Sequence, residues 1–378
     1  MDYTLLKDTA FLPAPVRERT IANLAALREQ LSEALPAKDA EDHMLLGTWN
    51  IRDFGKAENL RKGRGPRLPE THFYIAEVIS RFDFVAVQEV NDLPEWARVM
   101  RILGPDWDFI ATDVTDPELG GNGERLTFVF DSRKVRFRHI AGEIVLPPDK
   151  LVSENVVPEA DDEGASGEVA GQPVGRQFAR SPFVASFRSN WFKFDICTVH
   201  IYYGEEHGEK LRRRVAEIRE IAEYFGSRAV GALESGTSLI LLGDFNVVGP
   251  EHETMAALLA SGFKTAGTLE NIASNIGRDK YYDQIVFHTR PGVLEYTETP
   301  TPDGKPRAGI FEIFRNVFTE AQLDDYQSAA SATTAGDDKT GDELRDYYLD
   351  WRTYQFSDHL PMWIQLRVND SSSYLERM

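Results

Sequence analysis

The chain has 378 residues, 42% of them hydrophobic, with 42 basic against 61 acidic side chains for a net charge of −19, and one cysteine. That length admits two average domains or one large α/β sandwich with insertions, and the apolar share is ample for a packed core. There is no run of about 18 apolar residues to cross a membrane, no second cysteine for an internal disulfide, and an acidic balance that argues against tight non-specific nucleic-acid association, though not against a nuclease whose carboxylates hold a metal.

The start, Met1-Asp2-Tyr3-Thr4-Leu5-Leu6-Lys7, lacks a basic region followed by a long apolar stretch. No signal peptide is therefore expected, and a reducing, cytoplasmic location is the default. Residues 15–35 carry Val16, Ile21, Leu24, Leu27, Leu31 and Leu35 at helical spacing and predict an amphipathic helix. A strand at 44–50 follows, then a basic, glycine-rich loop to residue 67 and a helix over 70–81. A buried strand is expected at 82–87, a short helix at 93–103, and strands at 107–111, 126–130 and 135–144. Residues 147–177 are rich in Glu, Asp, Gly, Ala and Pro and read as an acidic, exposed insertion. A hairpin is expected from 182–187 and 190–200, with Cys197 inside it as a small buried core residue. Then come a helix at 210–225, a buried strand at 238–242, a helix at 252–260 and a strand at 281–287. A second polar stretch, 300–346, is expected to be partly helical around 310–323, with a mobile centre at 328–341. No repeat or linker divides the chain. The expected organisation is a helical extension (1–40), one catalytic domain (41–369) interrupted near 147–177 and 300–346, and a tail (370–378).

Asn50, Glu89, Asp244, Asn246 and Asp358 are hard oxygen donors placed just after apolar runs. Mg²⁺ prefers such a set, completed by waters and substrate phosphate oxygens, with Mn²⁺ or Ca²⁺ as substitutes. There is no Cys cluster and no His-Glu-x-x-His, which disfavours zinc. Of eight histidines, His200 ends an apolar strand and His359 follows Asp358. Hydrolysis of a phosphodiester needs a base for the water, positive charge for the phosphorane and help for the leaving alkoxide. Two histidines oriented by carboxylates supply base and acid, and Glu124 and Asp283 are the candidate partners.

In chain order, Thr48-Trp49-Asn50, Val87-Gln88-Glu89-Val90, Gly123-Glu124-Arg125, Arg180-Ser181-Pro182-Phe183, Val199-His200, Gly243-Asp244-Phe245-Asn246, Tyr282-Asp283-Gln284-Ile285 and Ser357-Asp358-His359 form a set that resembles the endonuclease/exonuclease/phosphatase superfamily, in its deoxyribonuclease I-like pattern. The match runs over about 44–366. The resemblance implies a four-layer α/β sandwich of two packed, mainly antiparallel sheets flanked by helices, with the site at one edge. It implies that Asn50, Glu89 and Asp358 form the principal Mg²⁺ site. Asp244 and Asn246 would orient the nucleophile or scissile phosphate and form a second metal position. His359, steered by Asp283, resembles the water-activating base; His200, paired with Glu124, the donor to the phosphate or leaving oxygen; and Arg180 the arginine that contacts phosphate. One departure is Asn91, where many such members carry a DNA-contacting arginine.

Two basic clusters bear on substrate. Lys56, Arg61, Lys62, Arg64 and Arg67 follow Asn50, and Lys210, Arg212, Arg213 and Arg214 follow His200. Either borders the cleft as a backbone grip or is a solvated face, and Tyr202 and Tyr203 stack on a base or pack as ordinary edge residues. The expected activity is a Mg²⁺-dependent phosphodiester hydrolase, foremost a nuclease with DNA as its nucleic-acid partner and no membrane insertion. The alternatives are a phosphatase or phosphodiesterase acting on a small-molecule, inositol or lipid phosphate, and, from another class, a catalytically inactive binding module.

Overall fold

The computed structural model describes residues 1–56, 63–114, 123–156, 172–178, 180–289, 294, 296–376 and 378. Strand β1 (His43–Phe54) pairs in parallel with β2 (Phe84–Val90), which continues antiparallel to β4 (Arg125–Asp131) and β3 (Trp107–Ala111). On its other edge β1 pairs antiparallel with β14 (Met362–Arg367), and β14 with β13 (Ala308–Ile310). The second sheet is built the same way. Its parallel pair is β9 (Phe192–His200) and β10 (Thr237–Asp244), with β8 (Phe183–Ser189) and β5 (Arg136–Glu143) on one side and β12 (Asp283–His288) and β11 (Lys264–Thr265) on the other. Each six-stranded sheet is thus mixed, antiparallel apart from one central parallel pair.

Alternation along the strands explains the layers. Met44 and Leu46 of β1, Phe84 and Ala86 of β2, Ile240 and Leu242 of β10, and Met362 and Ile364 of β14 point between the sheets, where Phe128, Phe187 and Phe194 fill the centre. Their neighbours Leu45, Trp49, Val85 and Val87 face one helical layer, and Cys197, Leu239 and Leu241 face the other. Strands apolar on both faces read as continuous runs, which is why 238–242 announces itself so clearly. Helices Gly208–Ser227 and Glu253–Leu259 cover the second sheet; Arg17–Ala34, Pro69–Ile79, Leu93–Leu103 and Gly341–Gln355 cover the first. The result is a four-layer sandwich.

Two polar regions differ from their expected character. The described flanks of the acidic stretch pair as β6 (Val152–Val156) and β7 (Gln172–Arg176), and Ile144, Leu146, Val152 and Phe178 are buried in the second sheet's helical layer; residues 157–171 lie outside the described set. Residues 310–323 are not mainly helical: the helix is Leu323–Ser331, followed by a turn and the helix Gly341–Gln355. The supposed mobile centre is packed, with Ala330 fully buried and Thr333 Oγ1 donating to Ala330 O at 2.8 Å. Side-chain amides do what apolar periodicity does elsewhere. Asn23 Nδ2 donates to Tyr74 and Tyr326 hydroxyls at 3.1 and 2.9 Å, and Gln322 Nε2 donates to Asn23 Oδ1 at 2.8 Å. These bonds tie the N-terminal helix to the start of the Leu323–Ser331 helix, while Ile21 of the expected apolar face is exposed.

Candidate active site

The carboxyl ends of the two parallel pairs face one another. Gln88 fixes that meeting by donating to Thr48 Oγ1 at 3.1 Å in its own sheet and to Thr198 Oγ1 at 2.9 Å in the other. Asp244 stands in register with His200 on one side and Asp283 on the other. Gly243 permits this, because a Cβ there would lie 2.3 Å from Val199 O. In the first sheet both strands break register beside the site, between Asn50 and Phe54 and between Val87 and Val90. Arg52, Asp53, Glu89 and Asn246 all adopt positive φ (44°, 50°, 65° and 51°). Such bulged, left-handed positions cost energy in non-glycine residues and re-aim side chains at functional edges.

Two histidine–carboxylate pairs result. His359 Nδ1 lies 2.7 Å from Asp283 Oδ2, which also accepts from Ser274 Oγ at 2.7 Å. The backbone of His359 is pinned as well: its N–H donates to Ser357 Oγ at 2.9 Å and its carbonyl accepts from Trp49 Nε1 at 3.0 Å. His200 Nδ1 lies 3.0 Å from Glu124 Oε2, and Arg180 Nε donates to the same oxygen at 2.7 Å. Both imidazoles turn Nε2 toward Asp244 Oδ2, at 3.8 Å from His359 and 3.6 Å from His200. Asn50 Nδ2 bridges Asp244 Oδ2 (3.0 Å) and Glu89 Oε1 (2.7 Å). Asn246 supports Asp244 with its backbone N–H (2.9 Å to Oδ1) and donates its amide to Ile201 O at 2.8 Å.

Charge here is balanced at close quarters. Burial works against an imidazolium at His359, but Asp283 and Asp244 hold its pKa well above the ordinary value. Burial and Arg180 oppose the charge on His200, and Glu124 and Asp244 outweigh them. Glu124 is pushed up by burial yet held below the usual carboxylate range by His200 and Arg180. Glu89 is the converse: burial, with Glu124 and Asp53 nearby, raises its pKa. A crowded buried carboxylate of that kind calls for a cation. Among the described residues, Glu89, His200 and Asp244 present atoms within 4.8 Å of one another, as do Asp53, Glu89 and Glu124. With the Asn50 amide beside them, these oxygen donors fit a hard divalent ion.

The remaining candidates are placed differently. Asp358 belongs to neither group; it is 40% exposed in its side chain and pairs with Arg52 Nη1 at 3.2 Å. Asn91, at the departure from the family pattern, donates its amide to Glu89 O at 3.0 Å. Most of the described basic residues expected to grip a backbone have partners within the chain, Arg212 at the exposed surface. Arg64 pairs with Asp350 and stacks over Tyr354 (4.7 Å). Arg67 is half-buried over Phe54 (4.8 Å), and desolvation lowers its pKa to about 10. Arg212 pairs with Glu209, Arg213 covers Tyr202 (4.1 Å), and the buried Arg214 donates to Asn246 O at 3.1 Å. Lys56 lies at the site, 2.8 Å from Asp53 Oδ1; Arg61 and Lys62 lie outside the described residues.

Sequence reasoning passed over Asp53, Arg52 and Tyr282. Asp53 donates its backbone N–H to Glu89 Oε2 at 2.5 Å, Arg52 stacks 3.8 Å over Tyr354, and Tyr282 packs 5.5 Å from the His359 ring. The available signal was Arg52-Asp53 directly after Asn50-Ile51, a charged pair too close to an assigned donor to be only a solvated turn.

No family profile matches the chain. A deoxyribonuclease from Thioalkalivibrio sp. is 28% identical over 232 residues, which is 60% of this chain and 52% of that protein; the match spans about half the length of this curated relative. A mannosyl-6-phosphatase from Bacteroides thetaiotaomicron superposes with a TM-score of 0.50 at 17% identity, covering 85% of this chain and 99% of its own. An endonuclease/exonuclease/phosphatase family protein from the same organism gives 0.47 at 16% identity, covering 86% and 98%. Two mixed six-stranded sheets flanked by helices, with the site at the meeting of their parallel pairs, give this chain the four-layer sandwich fold of the endonuclease/exonuclease/phosphatase proteins.

Proposed function

We propose that the chain is a Mg²⁺-dependent phosphodiester hydrolase and that its substrate is DNA. The observation carrying this is the convergence of two carboxylate-backed histidines on Asp244, beside the Asn50–Glu89 donor pair. A scaffold has no use for so many buried ionisable groups at one edge. In the neutral form of His359, Asp283 on Nδ1 fixes the tautomer that leaves Nε2 to accept the proton of the attacking water. His200, kept protonated by Glu124, donates from Nε2 to a phosphoryl or leaving oxygen. Asp244 holds both rings at their working distance, with Asn246 fixing its carboxylate. Arg180 adds a guanidinium next to Glu124, where negative charge grows on the phosphate. Asn50, Glu89 and Asp244 would hold the divalent ion, with Asp358 a further ligand, and the ion would supply charge neutralisation and a more acidic water.

DNA as substrate draws on the deoxyribonuclease relative. A second reading, hydrolysis of a small phosphoester, is favoured by a specific observation: Arg64, Arg67 and Arg213 are paired or stacked against the protein rather than held out for a backbone. Nicking of supercoiled plasmid in Mg²⁺, with EDTA and His359→Ala as controls, separates the two. Cleavage lost in both controls supports the nuclease. An intact plasmid, together with hydrolysis of a small aryl phosphodiester, moves the substrate to small phosphoesters. Inertness on both, from folded and metal-loaded protein, rejects the enzyme.

A further inference from the structure

The second carboxylate group, Asp53, Glu89 and Glu124, shares Glu89 with the first and places its oxygens within 4.8 Å of one another. Three carboxylates so close, with side-chain exposures of only 19%, 14% and 5%, repel one another unless a cation lies among them. A cation is already there. Lys56 Nζ donates to Asp53 Oδ1 at 2.8 Å and stands 3.9 Å from Glu124 Oε1. Although burial opposes its charge, Asp53, Glu124 and Glu89 together keep the ammonium protonated.

The backbone holds Lys56 in place. Its N–H donates to Asp53 O at 3.0 Å, closing a turn in which Asp53 and Gly55 both have positive φ (50° and 74°). Only glycine fits at the second position, since a Cβ there would meet Asp92 Cβ at 2.4 Å. Between them Phe54 is fully buried, edge-on to Trp96 at 5.5 Å. An anchored ring and a strained turn thus fix where the lysine stem leaves the backbone, which a solvated surface lysine does not need.

We propose that Lys56 is a built-in cation: its ammonium occupies the Asp53–Glu89–Glu124 position, so that the adjoining Asn50–Glu89–Asp244 group takes one divalent ion and no second. This rests on the metal reading of the site given above. A covalently held ammonium supplies positive charge at fixed occupancy, independent of the free ion concentration. Lys56 is therefore a positioning and charge-balancing residue rather than part of a backbone grip.

Counting bound Mn²⁺ by calorimetry and by the EPR signal of the free ion, without substrate, tests this apart from activity. The wild-type chain is expected to bind one ion. Lys56→Met should bind two, the second more weakly, and Lys56→Arg should bind one. Lys56→Gln serves the same purpose as Lys56→Met if the latter does not fold. Two ions in the wild type, or one in a folded neutral variant, overturn the built-in cation and leave the metal reading standing. No bound ion in the wild type sinks the metal reading, and the inference with it.

Discussion

His359 meets Asp283 at 2.7 Å and His200 meets Glu124 at 3.0 Å, but the two carboxylates differ in what else answers them. Among the described residues, Asp283 has only the neutral Ser274 hydroxyl on its carboxylate besides its imidazole, and its Oδ1 has no hydrogen-bond partner. Glu124 is forked by Arg180 through both oxygens and has the Lys56 ammonium at 3.9 Å. One pair is a histidine and an acid that also holds a neutral hydroxyl, with the Asp244 carboxylate facing the same imidazole. The other is a node in a network of cations. The same residue types at nearly the same spacing therefore sit in different surroundings: two carboxylates, Asp283 and Asp244, favour the His359 imidazolium, whereas at His200 the Arg180 guanidinium works against it.

The largest effects should be catalytic. His359→Ala and His200→Ala are each expected to lower the rate of phosphodiester hydrolysis by about 10²–10⁴-fold, the range for a positioned acid or base. Steady-state rates on the substrate that the plasmid assay identifies will measure this. A loss confined to one histidine would show that the two pairs are not partners in one reaction.

Stability should separate the pairs next. Glu124→Ala strands Arg180 and His200 without their shared carboxylate, and breaking a buried ion pair in this way costs about 3–5 kcal/mol. Asp283→Ala leaves His359 free to become neutral and leaves one buried hydrogen-bond donor unanswered, a loss of about 1–3 kcal/mol. Urea denaturation of the metal-free variants gives both values, and the reverse order would contradict the network.

The pH dependence carries the same contrast. Glu124 has a folded pKa below its ordinary value of 4.5, so its contribution is present above that value and is lost as pH falls through the folded pKa. His359 and His200 have folded pKa values above 6.5, so theirs are complete below 6.5 and are lost as pH rises through the folded values. In EDTA, Asp283→Asn should therefore flatten the alkaline fall of Tm without removing the acid fall, whereas Glu124→Gln should flatten both limbs. Matching profiles for the two variants would erase the distinction.

The strands and their polar tips were legible because alternation, buried runs and motif order are local signals. Trp49-Asn50, Gln88-Glu89, Gly243-Asp244-Phe245-Asn246 and His359 all sit where a strand's carboxyl end or entry points into the site. The 308–355 layer was not legible, since Tyr326 is fully buried through hydrogen bonds and ring contacts with distant residues rather than through apolar spacing. The partners of the basic residues were hidden for a related reason. Arg64 finds Asp350, 286 residues further along, and Tyr354 beside it, and a sequence run shows the charge of a cluster but not what neutralises it.

Asp358 brings the comparison back to the metal. As a sequence feature it was part of a Ser-Asp-His motif and read as a principal ligand; in the structure Arg52 lies 3.2 Å from its carboxylate, and the Arg52 guanidinium is itself stacked 3.8 Å over Tyr354. Glu89 is instead crowded among acids and lifted in pKa by burial. An ion entering the site relieves repulsion at Glu89, but at Asp358 it must compete with a guanidinium already in contact. Glu89→Gln is therefore expected to weaken Mn²⁺ binding by about 10²-fold or more, a loss of roughly 3 kcal/mol in binding free energy. Asp358→Asn should weaken it by less than about tenfold, or roughly 1.4 kcal/mol, and Tyr354→Leu by less again. Calorimetric Kd values decide the order. Equal losses at Glu89 and Asp358 would mean that Arg52 yields its carboxylate to the ion, making Asp358 the ligand its motif implies and Arg52 the residue released toward the phosphate when the metal binds.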